Sequence, residues 1–308
     1  MSNGNQKKEE ARPKLVGKEN FLWGGLGKIE LWDFSFANFS KEHRVNAFAK
    51  IASSYCNASD KERTEQGMRE IFDRALENPY GKESNALEYI PVLLNMNSNG
   101  HRELFEKNKF SHILRSGETL TEGWYVTTLS ALAKEYYDMS DVEDGYSFNI
   151  TEIYNDDDEC ALLSEFFTVF FLEANLDTVV RLSGKHLNVQ EFSRGCLLNK
   201  DMPFSPYFSE EVYASKEVDV PAFFGQSLKV YETLVSSGVS HEKARLVLPQ
   251  GAMSYAWGGF TPNELERLMK MRDYCDAEEL LSLIDAIRTL LPLRNKPCNL
   301  KLIGSPIC

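Results

Sequence analysis

Lys243–Arg272 reads KARLVLPQGAMSYAWGGFTPNELERLMKMR. A helical turn begins near Ser240, a plausible N-cap, and runs into Leu246 before Pro249 stops it. Met253–Trp257 then reads as a short strand. Thr261–Arg272 follows as a clear helix, with Thr261 as cap, Pro262 at N1 and Glu264 at N3. Leu265, Leu268 and Met269 make its inward stripe. Arg272, four residues beyond Leu268, falls on the same stripe. An arginine on an apolar face is costly unless an anion meets it. An internal salt bridge or a snorkelling side chain would satisfy it, and so would a bound anion or polar ring. Arg245, at the junction of helical turn and apolar run, poses the same choice between an ordinary helix C-terminus and a phosphate.

Outward from this stretch the chain mixes helices and strands. Lys28–Phe34 (KIELWDF) alternates as a strand. Helices are expected from Ser40 to about Tyr55 and over Lys61–Leu76, Asn85–Asn95, Thr119–Tyr137, Pro221–Val235 and Asp276–Leu290. Gly81 marks a turn, Pro203 and Pro206 a loop, and the tail after Pro292 is loop-like. Cys160–Val180 is strongly apolar and fits either helix or strand. No internal repeat and no dividing linker appears.

The chain has 308 residues, 34 Lys+Arg and 46 Asp+Glu, so its formal charge is 34 − 46 = −12. Nine acids and no Lys or Arg lie between Asp138 and Glu159, so most of the excess belongs to one segment, expected to be a solvated insertion. An acidic chain argues against nucleic acid as partner, which needs a positive surface to displace counterions. The longest apolar run, Phe166–Leu172, is far short of a bilayer span, so no membrane partner is expected. The polar first residues lack a signal-peptide core and read as a disordered leader over 1–20. Six cysteines without CxxC spacing argue against structural zinc and a disulfide framework, which points to the reduced cytoplasm and no metal.

Some apparent motifs fail on spacing. Gly24–Lys28 (GGLGK) lacks the first glycine of a phosphate loop and the Ser/Thr after its lysine, and reads as a turn into a strand. Asn155–Glu159 (NDDDE) lacks the glycine and spaced ligands of a calcium loop and reads as a solvated loop. Two segments keep chemistry open. His101 stands in Gly100–Glu106 (GHRELFE), where it could cap, stack on a ring or move a proton. Ser183–Ser193 (SGKHLNVQEFS) gathers Lys185, His186, Gln190, Glu191 and Ser193, a polar loop or a site.

Four segments in this order resemble the flavin-dependent thymidylate synthases. Lys28–Phe34 followed by Ala47–Ser59 (AFAKIASSYCNAS) looks like the family's first strand and AAR-x-CY-x-S helix. GHRELFE looks like GH-x-S-x-x-EH, with Glu103 and Lys107 replacing its Ser and last His. SGKHLNVQEFS stands where the family has RHR-x7-S, with Ser183-Gly184-Lys185 in place of the triplet. Most specific is KARLVLP, then the helix ending at Arg272, then Ala277–Glu279, which resemble ARxVLP, LR and AQxE.

The resemblance spans about residues 28–292 and implies an α/β (α+β) fold. In this thymidylate synthase-complementing-protein-like fold a central sheet carries flanking helices. The single domain would cover 21–308, with a long helical insertion at about 113–160. It implies reductive methylation of dUMP to dTMP, with methylenetetrahydrofolate and NADPH as cosubstrates and FAD as cofactor, in a homo-oligomer, a tetramer as in the family.

By the same resemblance Arg245 would bind the dUMP phosphate, and Arg272 would contact the pyrimidine and favour its ionised form as the catalytic residue. Glu191, Ser193 and Arg194 would line the dUMP site, while His101, Lys185, Gln190, Glu191 and Asn263 would contact cofactor. The altered triplet leaves two alternatives open: a related pyrimidine C5 modification such as hydroxymethylation, or a catalytically silent nucleotide-binding homologue.

Overall fold

The computed structural model describes residues 14–22, 26–33, 49, 65–81, 87, 90–97, 118–121, 123–140, 157–184, 189–191 and 210–294. They form a mixed α+β structure. Its strands are β1 (Lys14–Phe21), β2 (Gly27–Asp33), β3 (Pro91–Asn95), β4 (Glu118–Thr121), β5 (Trp124–Thr128), β6 (Thr168–Asn175), β7 (Val189–Glu191) and β8 (Met253–Phe260). The helices are α1 (Glu65–Glu77), α2 (Leu129–Ser140), α3 (Asp157–Phe166), α4 (Leu176–Gly184), α5 (Glu210–Ala214), α6 (Val220–Ser236), α7 (His241–Ala244), α8 (Pro262–Lys270) and α9 (Glu278–Leu290).

The main sheet runs β1-β2-β6-β8-β7, with every neighbouring pair antiparallel. Four strands of seven or eight residues carry it, and β7 adds three more residues at one edge. Side chains alternate between the two faces. Ile29 and Leu31 of β2, Phe170 and Leu172 of β6, and Ala256 and Phe260 of β8 are buried on the core face. They join Leu265 and Leu268 of α8 and Leu280, Leu283, Ile284 and Ile287 of α9 in one cluster. The opposite face carries a row of rings. Trp32 meets Trp257 edge-on at 6.1 Å, Trp257 meets Phe171 at 5.3 Å, and Phe171 meets Tyr255 at 6.1 Å. Glu30 and Glu173 on this face accept the Lys28 ammonium at 3.0 and 3.8 Å.

A second, three-stranded sheet orders β3-β5-β4. It overturns two expectations of helix. Pro91–Asn95 (PVLLN) is a buried strand, not the end of a helix over 85–95. Helix over 119–137 gives way to β4, β5 and then α2. The residues Thr119 to Thr128 are rich in β-branched and aromatic side chains, and Gly123 supplies the positive φ of 83° that the connection needs. A Cβ on Gly123 would also fall 1.8 Å from Asn97 Nδ2. The described part of the expected helical insertion therefore contains strands as well as helices.

Three further boundaries move. The leader expected over 1–20 already contains β1 from Lys14, whose apolar positions pack on β2 and α9. Asp157–Glu159 form the first turn of α3 rather than a solvated loop, and acids suit a helix N-terminus. Cys160–Val180, open between helix and strand, divides among α3, β6 and α4. The expected strands at 28–34 and 253–257 and the helices at 61–76, 221–235 and 276–290 match β2, β8, α1, α6 and α9, with β8 running three residues longer. Gly27 opens β2, and a Cβ there would lie 2.6 Å from Leu22 Cδ1; Gly24 and Gly25 of the expected turn lie outside the described residues. Of the helix expected over Ser40–Tyr55 only Ala49 is described, in helix and buried; its other residues and the loop at Pro203 and Pro206 lie outside the described residues.

Candidate functional site around strand β8

Arg245 begins a 3-10 turn, Arg245–Val247, directly after α7. Its neighbours hold it in place. Ala244 is wholly buried and Leu248 nearly so, and both pack with Phe224 and Tyr231 of α6. Leu246 is 82% exposed, so the turn faces solvent between two anchors. Arg245 itself is half-buried. Downstream, Gln250 and Ala252 carbonyls accept from Asp177 and Leu176 at the start of α4, at 3.2 and 2.9 Å. The segment thus runs rigidly from α7 into Met253 and β8.

Strand β7 carries Gln190 opposite Trp257 and Glu191 opposite Ala256. Because β7 is antiparallel to β8, its chain travels toward the end of β8 that the Arg245 turn feeds. Strand β7 thus covers Ala256–Gly258, the middle of β8, with Glu191 at its end nearer Met253. Asn263 follows the other end of β8, exposed in the first turn of α8. His101, Lys185, Ser193 and Arg194 lie outside the described residues.

Arg272 departs from its expected position. Helix α8 ends at Lys270, and Met271–Asp273 forms a 3-10 turn. Tightening toward three residues per turn sends Met271 inward, 3% exposed, after Leu265 and Leu268. Arg272 is instead exposed, its side chain at 47%. Its Nε and Nη2 donate to the two carboxylate oxygens of Asp285 on α9 at 2.9 and 3.0 Å. The inward stripe at Arg272 is thus corrected, and the salt bridge is the partner observed. That bidentate hydrogen bond, then the charge itself, raises the arginine pKa further and lowers that of Asp285 below the usual carboxylate range.

One polar contact was not legible from motifs. Tyr231, fully buried on α6, places its hydroxyl 3.0 Å from Nδ1 of His241, the first residue of α7. Only an apolar helix carrying a tyrosine ten residues before a histidine hinted at it. Among the described residues no group of His, Cys, Asp and Glu could hold a metal ion, and no helix is long and apolar enough to cross a membrane.

The chain matches no protein-family model, and no curated protein matches it. The resemblance to flavin-dependent thymidylate synthases therefore rests on its own motif residues.

Proposed function

We propose that the protein is a divergent flavin-dependent thymidylate synthase-type enzyme that methylates dUMP at C5. The observation that carries this reading is the course of the KARLVLP segment. Arg245 stands in a turn, anchored by the buried Ala244 and Leu248, that residues 248–252 join to β8, and the strand carrying Gln190 and Glu191 pairs with the middle of β8 and runs toward the end that this segment enters. A guanidinium on such a turn suits a phosphate, which it can meet through two parallel hydrogen bonds. Glu191, with Ser193 and Arg194 after it, would line the pyrimidine side.

By side-chain chemistry alone, three residues that the resemblance assigns to flavin suit that group. Gln190 and Glu191 are amide and carboxylate groups of the kind that hold ring nitrogens and ribose, and Asn263 offers an exposed amide off the far end of β8. His101 and Lys185 would complete that set. FAD, when bound, supplies the hydride relay from NADPH, while the folate supplies the methylene. The protein's own part is positioning and charge. Arg272 would favour the ionised pyrimidine as negative charge develops, which requires exchanging Asp285 for substrate. We further propose a cytoplasmic homo-oligomer, a tetramer as in the family.

A second reading is a catalytically silent nucleotide binder, favoured by the engagement of Arg272 with Asp285. Purified protein decides between them. The enzyme should be yellow or take up added FAD, bleach with NADPH, and yield dTMP from dUMP and methylenetetrahydrofolate. Arg245→Ala should weaken dUMP binding by at least about tenfold, the loss of one charged hydrogen bond. Colourless protein that takes up no FAD yet binds dUMP would leave the silent binder. A hydroxymethylated product would make it a different C5-modifying enzyme.

A further inference from the structure

We propose that His241 is a second phosphate-binding residue beside Arg245, held as a hydrogen-bond donor by Tyr231. The inference rests on the nucleotide reading above and adds a residue that the sequence motifs omit.

A fully buried tyrosine hydroxyl needs a partner, and for Tyr231 that partner is Nδ1 of His241 at 3.0 Å. The two rings lie 6.3 Å apart. In the proposed arrangement Tyr231 donates, so Nδ1 accepts and the neutral imidazole carries its proton on Nε2. Nε2–H is then a donor fixed in direction by a core residue. Such fixing matters, because a ring that rotates freely gives up part of its binding energy to ordering.

His241 is also in the right place. The Arg245 amide donates to the His241 carbonyl across one helical turn. Residues four apart leave the same face of a helical turn, so imidazole and guanidinium start from one side of this segment. His241 is half-buried, as is Arg245. The exposed Lys243 adds a further positive charge on this short segment. A phosphate monoester offers several acceptor oxygens, enough for Arg245 and His241 Nε2 together.

The test is calorimetric titration of the full chain with dUMP and with deoxyuridine, which lacks the phosphate. Wild type is compared with Arg245→Ala, His241→Ala, His241→Gln and Tyr231→Phe. His241→Ala should weaken dUMP about tenfold and leave deoxyuridine unchanged. His241→Gln, whose amide reaches about where Nε2 lies, should recover part of the loss. Tyr231→Phe should lose less than His241→Ala. In parallel, the Nε2 nitrogen signal of His241 in wild type should move on adding dUMP or inorganic phosphate. The proposal is overturned if His241→Ala binds dUMP as wild type does while Arg245→Ala does not. Should His241→Ala fail to fold, an unmoved Nε2 signal in wild type overturns it equally. Wild type that binds neither dUMP nor inorganic phosphate overturns the nucleotide reading itself, and this inference with it.

Discussion

Raising the pH above 10 should destabilise the protein through Tyr255, and by an amount that can be worked out. Tyr255 on β8 is 7% exposed, and its hydroxyl donates to Glu173 Oε1 on β6 over 3.4 Å. Burial first, then the Glu173 charge, then that hydrogen bond favour the neutral phenol and push its pKa from 10.0 up to about 12. The folded pKa lies above the unfolded one. The stabilisation is therefore complete below pH 10 and is lost as pH rises from 10 to 12, where the unfolded chain gives up a proton that the folded chain keeps. The limiting value is about 2–3 kcal/mol, of which about half is gone by pH 11. Other tyrosines and lysines titrate in the same range, so the quantity to measure is a difference. Urea unfolding of wild type and Tyr255→Phe at pH 8.5, 10 and 11 supplies it, with phenolate absorbance followed in the folded state. Wild type should lose about 1 kcal/mol more than the variant between the first and last pH. Glu173→Gln should lose the part of the slope that the Glu173 charge causes. Parallel losses in wild type and Tyr255→Phe would refute the reasoning.

Two further outcomes follow from named contacts. Thr261 and Glu264 form a reciprocal capping box, with Thr261 N donating to Glu264 Oε2 at 2.8 Å, so Thr261→Ala should cost about 1 kcal/mol in urea unfolding, and an unchanged midpoint would deny the cap its role. Asp285 titrates below the ordinary range because of Arg272, so its stabilising effect is present above that range and fades as pH falls; in Arg272→Ala the Asp285 carboxyl signal should titrate at higher pH, and an unmoved titration would sink the assignment.

The sequence was most readable where local signals agreed with packing. Thr261-Pro262-Asn263-Glu264 spells its own cap, and Leu265 and Leu268 duly enter the core. Lys28–Phe34 alternates, and the described part of it lies in β2 with Ile29 and Leu31 buried. It was least readable where tertiary contact overrode periodicity. Thr119–Tyr137 holds helix formers at its end and strand formers at its start, and pairing with Pro91–Asn95 decides the boundary. The site was partly legible. The junction at Arg245 is legible in KARLVLP, and the structure has a 3-10 turn there. Tyr231 and His241 were invisible because their contact depends on how α6 folds back on α7, which no spacing rule encodes.

Arg272 shows why one helical repeat cannot assign a role. Its stripe position follows from 3.6 residues per turn carried past Lys270, and the chain tightens there, so the guanidinium swings outward to Asp285. An inward arginine would have required a buried anion. An outward one requires nothing, because water and an exposed carboxylate already satisfy it. The proposed catalytic role therefore draws no support from burial. It draws some from exchangeability, since an exposed pair is weakly held and its carboxylate can give way to a substrate anion. Asp285→Ala separates the two. If Arg272 serves substrate, freeing it should leave turnover intact or lower the KM for dUMP, whereas Arg272→Ala should abolish turnover. If its role is only to join α8 to α9, both variants should leave turnover unchanged and alter thermal stability alike.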